Sequence, residues 1–291
     1  NYDTLVTIDD SSCIYQITTQ TNITSCDSIV WNGTTYNSSG TYSYSTSTIS
    51  NNYCVNFDGV DDYVSLPVSN DFDITQHISF TSWVKKDQLY NSSVLFSKWD
   101  SPFGANIQSY EFSITDSNRY YLVINTATGN KFCYSNAHSN TTWDFVSATF
   151  DGNEMRIYVN GILEGTTQYT GSIASTSIQC NIGRTRPSSN PQYYFDGQLD
   201  QLGIWDIALT QAEIQQYMNC PPTGNETGIV GYWNFEEGPG SSVILDQTSN
   251  GNDGTINGAI YDTNIPLQSC SIPNSNGCDS TFILNLTIVV C

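Results

Sequence analysis

The sequence is poor in positive charge. Lys and Arg number 8 against 28 Asp and Glu, a formal charge of −20 at pH 7. Such a surface repels phosphate backbones and anionic membranes, so nucleic acid is not expected as a partner. Histidine is nearly absent, with only His77 and His138, and the nine cysteines contain no C-x-x-C pair. A zinc centre needs closely spaced thiolates and imidazoles, which this pattern does not supply. No apolar run approaches the ~20 residues of a membrane helix, so direct membrane insertion is not expected either. The chain has no initiator Met and no signal sequence, and it reads as a mature or excised piece of a secreted protein.

What is present points to strands. Ser and Thr total 68, Tyr 19 and Trp 6, with only 12% charged residues, a mixture that pleated strands and turns favour over helices. Without zinc motifs, the cysteines point to disulfides in an oxidising compartment. Their odd number leaves at least one thiol free or paired outside this segment. Seven N-x-S/T triplets, at Asn22, Asn32, Asn37, Asn91, Asn140, Asn225 and Asn285, invite a glycoprotein reading. With 29 Asn and this many hydroxyl residues, random placement yields about seven, so the triplets carry no weight.

The clearest local pattern is "WDFVSATFDGNEMRIYVNGILEGTT", residues 143 to 167. Asp151-Gly152 and Asn160-Gly161 are dipeptides that supply positive φ in tight hairpin turns, and Met155, Ile157 and Val159 alternate between them. This predicts a three-stranded antiparallel meander. Similar alternation in "ISFTSWVKK" (78 to 86), "YEFSI" (110 to 114) and "YYLVINT" (120 to 126) adds strands at regular spacing. The expected fold class from this pattern is all-β, a sandwich or jelly roll with one short helix. The helix is "TQAEIQQYMN", where Thr210 can cap and Glu213 can close a capping box, packed on one edge of the sandwich. "CPPTGNETG" (220 to 228) then reads as a connector to a new strand in "GIVGYWNF".

Taken in order, "FDGVDDYVSLP" (57 to 67), "ISFTSWVK", "FDGNEMRIYVNG", "NIGRT" (181 to 185) and "YFDGQLDQLGIWDIALTQAEI" (194 to 214) resemble the laminin-G/pentraxin-like domains of the concanavalin A-like superfamily. The resemblance spans residues 55 to about 219 and implies a two-sheet jelly roll that binds glycans or proteins, often with calcium, and performs no chemistry. The segment 228 to 262 resembles one that precedes the F-D-G strand in many bacterial members; here it follows the helix. Because the ends of such a sandwich are close in space, this permuted segment can rebuild the same domain. Alternatively it completes a neighbouring domain by strand exchange.

A Cys-Asp-Ser triplet opens both "CDSIVWNGTTYNSSGTYSYST" (26 to 46) and the end of the chain, in "NGCDSTFILNLTI" (276 to 288). These resemble the two halves of a short β repeat found in very long surface proteins of Bacteroidota-type bacteria. The resemblance implies a small module, 26–53 and 271–291, split by a jelly roll at 54–270, with residues 1–25 as the tail of a preceding unit or a linker.

For chemistry, related jelly-roll glucanases carry E-x-D-x-(x)-E on one strand, with acid and nucleophile about 5 Å apart. None of the seven glutamates has that spacing, and no nucleophile elbow or phosphate loop occurs. No enzyme activity is expected. The resemblance implies a structural Ca2+ at Asp200, with Asp58, Asp62 and Asp246 as neighbouring candidates, although Asp, Asn and Gly also dominate ordinary turns. Trp99, Tyr120, Tyr193 and Tyr194 are candidate glycan contacts, while Trp83, Trp143, Trp205 and Trp233 lie in core-like patterns. Candidate disulfides are Cys133 with Cys180, Cys220 with Cys270, and Cys26 with Cys278, with connectivity open.

Two functions remain in view. One is a non-catalytic adhesion module of a bacterial cell-surface protein or secreted appendage, binding a glycan or surface protein. The other is a structural subunit of an extracellular fibre, whose partners are copies of itself and adjacent repeats.

Overall fold

The computed structural model describes residues 18–26, 28–31, 34–48, 51–88, 92–100, 107–139, 141–185, 193–268, 271–272 and 279–289. The chain divides into two compact units, one holding the described residues of 1–50 and 269–291, the other residues 51–268.

The smaller unit contains β1 (Thr18–Cys26), β2 (Ile29–Trp31), β3 (Thr34–Tyr36), β4 (Gly40–Thr48), β21 (Ser271–Ile272) and β22 (Asp279–Val289). Its main sheet has the order β1-β22-β4-β21. The strand that follows the first Cys-Asp-Ser segment, β4, runs antiparallel to the strand that carries the second, β22. Residues 18–25 do not stand apart as a tail: β1 pairs in parallel with β22 along its whole length.

The larger unit runs β5 (Cys54–Asp58), β6 (Tyr63–Ser65), β7 (Ile78–Lys86), β8 (Ser93–Asp100), β9 (Ile107–Ile114), β10 (Arg119–Ile124) and β11 (Lys131–Ala137). It continues through β12 (Asp144–Phe150), β13 (Glu154–Val159), β14 (Ile162–Gln168), β15 (Asn181–Ile182) and β16 (Asp196–Trp205) to α1 (Gln211–Asn219). Last come β17 (Ile229–Trp233), β18 (Val243–Ile244), β19 (Gly254–Asn257) and β20 (Ile260–Asp262). Two eight-stranded sheets result. The front sheet has the order β11-β10-β9-β8-β15-β6-β19-β18, and the back sheet β14-β13-β12-β7-β16-β5-β20, with β17 also on β16.

The expected meander is present as β12, β13 and β14. The β13–β14 hairpin closes through Asn160 (φ 51°) and Gly161 (φ 73°), the two positive values a two-residue turn of this kind requires. The segment 228–262 packs within its own unit: β17 on β16, β19 on β6 and β20 on β5.

Side chains alternating inward from both sheets, among them Phe57, Phe80, Phe96, Tyr110, Phe112, Leu122, Val146, Phe150 and Trp233, form the main core. The helix is capped as its sequence predicts, Thr210 accepting from the Glu213 amide. It lies not at an edge but over the outer face of the back sheet, where Ile214, Trp205, Phe145, Tyr158 and Tyr232 make a second core. Trp205 and Trp233 are fully buried, whereas Trp83 and Trp143 are only half-buried. With the back sheet covered by α1, the outer face of the front sheet is the large face with no helix over it among the described residues.

Candidate functional site

Strand register fixes what that front face presents. One row crosses seven strands in order: Phe132, Val123, Glu111, Ser97, Asn181, Ser65 and Thr255. The row beside it begins Tyr134, Tyr121, Ser113. The face is therefore aromatic on its β10–β11 side and polar across β9, β8 and β15.

On the aromatic side a cavity of about 260 Å³ opens, lined by Tyr121, Phe132, Tyr134 and Tyr193 together with Thr115, Asp116, Ser92 and Ser93. Phe132 and Tyr134 stack with ring centroids 6.1 Å apart, and Tyr121 sits 5.5 Å from Tyr134. Phe132 is 41% and Tyr193 40% exposed, so ring surface is open to solvent. The Arg119 guanidinium lies 5.0 Å over the Tyr134 ring while its Nε donates to the Ser135 carbonyl. Rings beside hydroxyls and a carboxylate can stack on the apolar face of a sugar and bond its hydroxyls.

Behind Tyr121 the polar floor is buried and incompletely paired. Glu111 Oε1 accepts from Ser113 Oγ at 2.9 Å and from Tyr121 Oη at 3.2 Å. Its Oε2 has no partner among the described residues; nor do Ser109 Oγ and Asn181 Nδ2 on the same side. Burial lifts the Glu111 carboxyl to about 7, against the pull of the Ser113 and Tyr121 hydrogen bonds.

The glycan candidates separate on this face. Tyr193 lines the cavity. Tyr120 does not: it is fully buried in the core, its hydroxyl donating to Asp144 Oδ2 at 3.0 Å. The reason is strand parity. Adjacent tyrosines point to opposite faces, and Tyr120 pairs with core-facing Ile114 while Tyr121 pairs with outward Ser113. Trp99 and Tyr194 are half-buried and do not line the cavity.

The four calcium candidates fall in three places. Asp200 on β16 is wholly buried; Oδ2 accepts from Asn51 Nδ2 at 2.7 Å, and burial holds its carboxyl far above the usual range. Two buried acceptors, Asp200 Oδ1 and Asn51 Oδ1, have no donor among the described residues. Glu236, next to this pair in charge, accepts from the Asn52 and Tyr53 amides and so braces the Asn51 segment. Orphaned hard oxygens of this kind fit calcium.

Asp58 and Asp62 lie elsewhere, and Asp61 joins them, with carboxylate oxygens within 4.8 Å of one another. Their turn is held by Asp58 Oδ1 accepting from the Val60 amide and Asp62 Oδ2 accepting from the Asp58 amide. Asp196 faces Asp58 across the strand pair; burial first, then Asp87 and Asp58, raises its carboxyl. Asp246 is spent on its own loop, accepting from the Tyr232, Thr248 and Asn252 amides and the Thr248 hydroxyl.

The proposed Cys133–Cys180 disulfide is corrected: both are free buried thiols, as is Cys54. Cys133 is on β11 and Cys180 adjoins β15, four strand steps away in the front sheet. At about 4.8 Å per step they stand roughly 19 Å apart, far beyond the ~7 Å that a disulfide spans. Cys26 and Cys220 are disulfide-bonded. Their suggested partners, Cys278 and Cys270, lie outside the described residues.

A two-sheet antiparallel sandwich with one helix-covered face and one open, partly aromatic face defines a lectin-like jelly roll. The chain belongs to the Laminin_G_3 family of the concanavalin A-like lectin/glucanase superfamily, whose model matches residues 58–215. Human pappalysin-1 is 29% identical over 101 residues, a stretch that is 33% of this chain and 6% of that protein; mouse pappalysin-1 is 28% identical over the same length. The chain thus spans only a small part of the curated relatives it matches. Among solved structures, a candidate carbohydrate binding protein from Bacteroides ovatus is similar at a TM-score of 0.59 and 16% identity, covering 76% of this chain and 61% of that one. A heptameric SAP-like pentraxin from Limulus polyphemus is similar at a TM-score of 0.50 and 16% identity, covering 73% of this chain and 95% of the pentraxin.

The cavity residues Tyr121, Phe132, Tyr134 and Asp116 and the buried Glu111 were not singled out from the sequence. The signal was there in "YEFSI", where the in-out alternation puts Glu111 opposite to Tyr110 and Phe112, on the solvent side of a strand.

Proposed function

We propose that residues 51–268 are a non-catalytic saccharide-binding domain whose ligand sits on the front sheet, over the cavity formed by Tyr121, Phe132, Tyr134 and Tyr193. The observation that carries this reading is the grouping of four aromatic side chains with Asp116 and Thr115 around one opening of about 260 Å³. The family's fold supports the reading, as does the name of the Bacteroides ovatus relative.

In this proposal the parent protein is extracellular, at a bacterial surface or on a secreted appendage, and uses the domain for adhesion to a glycan. The smaller unit, into which the sandwich is inserted at residues 51 and 268, is one repeat of a longer array. Calcium is structural, held by Asp200 of the back sheet together with Asn51, away from the ligand. The test is direct: the folded protein is passed over immobilised neutral and acidic oligosaccharides. Saturable binding that falls in Phe132→Ala and Tyr193→Ala supports the reading, and an inert wild-type protein overturns it.

A further inference from the structure

Glu111 is not part of the cavity lining, yet it touches a residue that is. It is 5% exposed, its Oε1 carries the Tyr121 and Ser113 hydrogen bonds, and its Oε2 has no described partner. We propose that Glu111 is a specificity-determining residue of the cavity: by holding the Tyr121 hydroxyl proton it makes that wall a hydrogen-bond acceptor, selecting neutral and amino sugars over carboxylated ones. In naming a ligand class, this inference rests on the saccharide reading above.

The chemistry follows from counting protons. An ionised carboxylate only accepts, and a phenol has one proton to give. When that proton is committed to Glu111, the Tyr121 oxygen can only accept from anything that enters the cavity. Asp116, on the same lining, is also an acceptor. A ligand O–H or N–H therefore finds two acceptors, whereas a ligand carboxylate meets lone pairs and like charge. Protonating Glu111 gives it an O–H of its own that can donate to the Tyr121 oxygen. The Tyr121 proton is then free to turn toward the cavity, and the discrimination weakens.

The surroundings leave Glu111 in control of this exchange. On its own strand it faces Ser109 and Ser113, on β10 Tyr121, and on β8 Ser97, none of which carries charge near neutrality. Beyond Tyr121 stands Tyr134, with Arg119 over its ring. Beyond Ser97, Arg184 stacks on Tyr63 at 3.1 Å and leans on Asn181. Lys98, the neighbouring cation of β8, points to the other side and pairs with Asp73. Burial places the Glu111 transition at about 7, where the exchange can be driven by modest acidification.

Two readouts test this. The first needs no ligand: the ring Cζ resonance of Tyr121, assigned by its loss in Tyr121→Phe, is followed between about pH 5 and pH 9. It should shift with a midpoint near 7 in the wild type and stay flat in Glu111→Gln, whose side chain keeps the shape but cannot ionise. The second compares a neutral with a uronic-acid-terminated oligosaccharide. The wild-type preference for the neutral sugar should fall about tenfold on acidification, the worth of one reversed hydrogen bond, and should be constant in Glu111→Gln. A Tyr121 signal that does not titrate, or that titrates equally in Glu111→Gln, overturns the inference. So does a sugar preference that ignores pH in the wild type. If Tyr121 titrates through Glu111 but neither sugar binds at any pH, the coupling stands and the saccharide reading falls.

Discussion

Adding calcium to the chelated protein should raise its melting temperature, and the Asp200–Asn51 pair sets the size of the effect. Asp200 Oδ1 and Asn51 Oδ1, which lack a donor among the described residues, are both buried. Each such acceptor costs about 1–3 kcal/mol, so an ion that satisfies both restores about 2–6 kcal/mol. For a domain of this size each kcal/mol moves Tm by about 2–4 °C. The expected rise at saturating calcium is therefore about 4–24 °C, read by scanning calorimetry at neutral pH with calcium and then with chelator. Asp200→Asn removes the charge while keeping the shape. It should lose most of the calcium response, yet in chelator it should melt no lower than wild type, because a buried carboxylate no longer has to be desolvated. A wild-type Tm that is the same with and without calcium, or a full calcium response in Asp200→Asn, would refute the assignment.

Three further outcomes are expected. Gly165→Ala would place a Cβ 2.0 Å from the Tyr134 carbonyl oxygen; the strand would have to move, costing about 1–3 kcal/mol in urea unfolding. The thiols of Cys54, Cys133 and Cys180, buried and with burial raising each of them, should resist a thiol reagent until the protein is denatured, and peptide mapping should find no Cys133–Cys180 link. Glu111 has a folded value of about 7 against an unfolded one of about 4.3. Its contribution is thus fully present below about pH 4 and lost as pH rises through about 7, a change on the order of 4 kcal/mol. Urea titrations of wild type should show that slope and those of Glu111→Gln should not.

Much of the sandwich was legible because its signals are local. The Asn160-Gly161 turn, the alternation in β7, β9, β12 and β13, and the Thr210–Glu213 cap each depend on neighbours in sequence. The site was less legible because it depends on register. "RYYLVI" alternates equally well with Tyr120 or Tyr121 facing out; only pairing with Ser113 and Tyr134 decides for Tyr121. Similarly, Asp58, Asp200 and Asp246 are alike as acidic candidates in the sequence, but only the fold shows the carboxylates of Asp58, Asp61 and Asp62 converging, Asp200 buried against Asn51, and Asp246 spent on its own loop. Cysteine pairing failed for the same reason, since sequence separation says nothing of the three strands that lie between β11 and β15. Placement of α1 over the back sheet, and not at an edge, followed from the apolar outward positions Phe145, Tyr158 and Trp205. Those positions make the back sheet apolar on both faces and leave the front sheet as the open one.

The central claim is that the front-sheet cavity holds a sugar. The measurement that tests it most directly is isothermal titration of oligosaccharides found by array screening into wild type, Phe132→Ala and Tyr193→Ala. Both replaced rings are about two-fifths exposed, so the variants should fold normally. The account predicts saturable binding to the wild type and a loss of about tenfold or more in each variant, as expected for removing a stacking ring. Binding that survives unchanged in both variants, or no binding to the wild type, would contradict it.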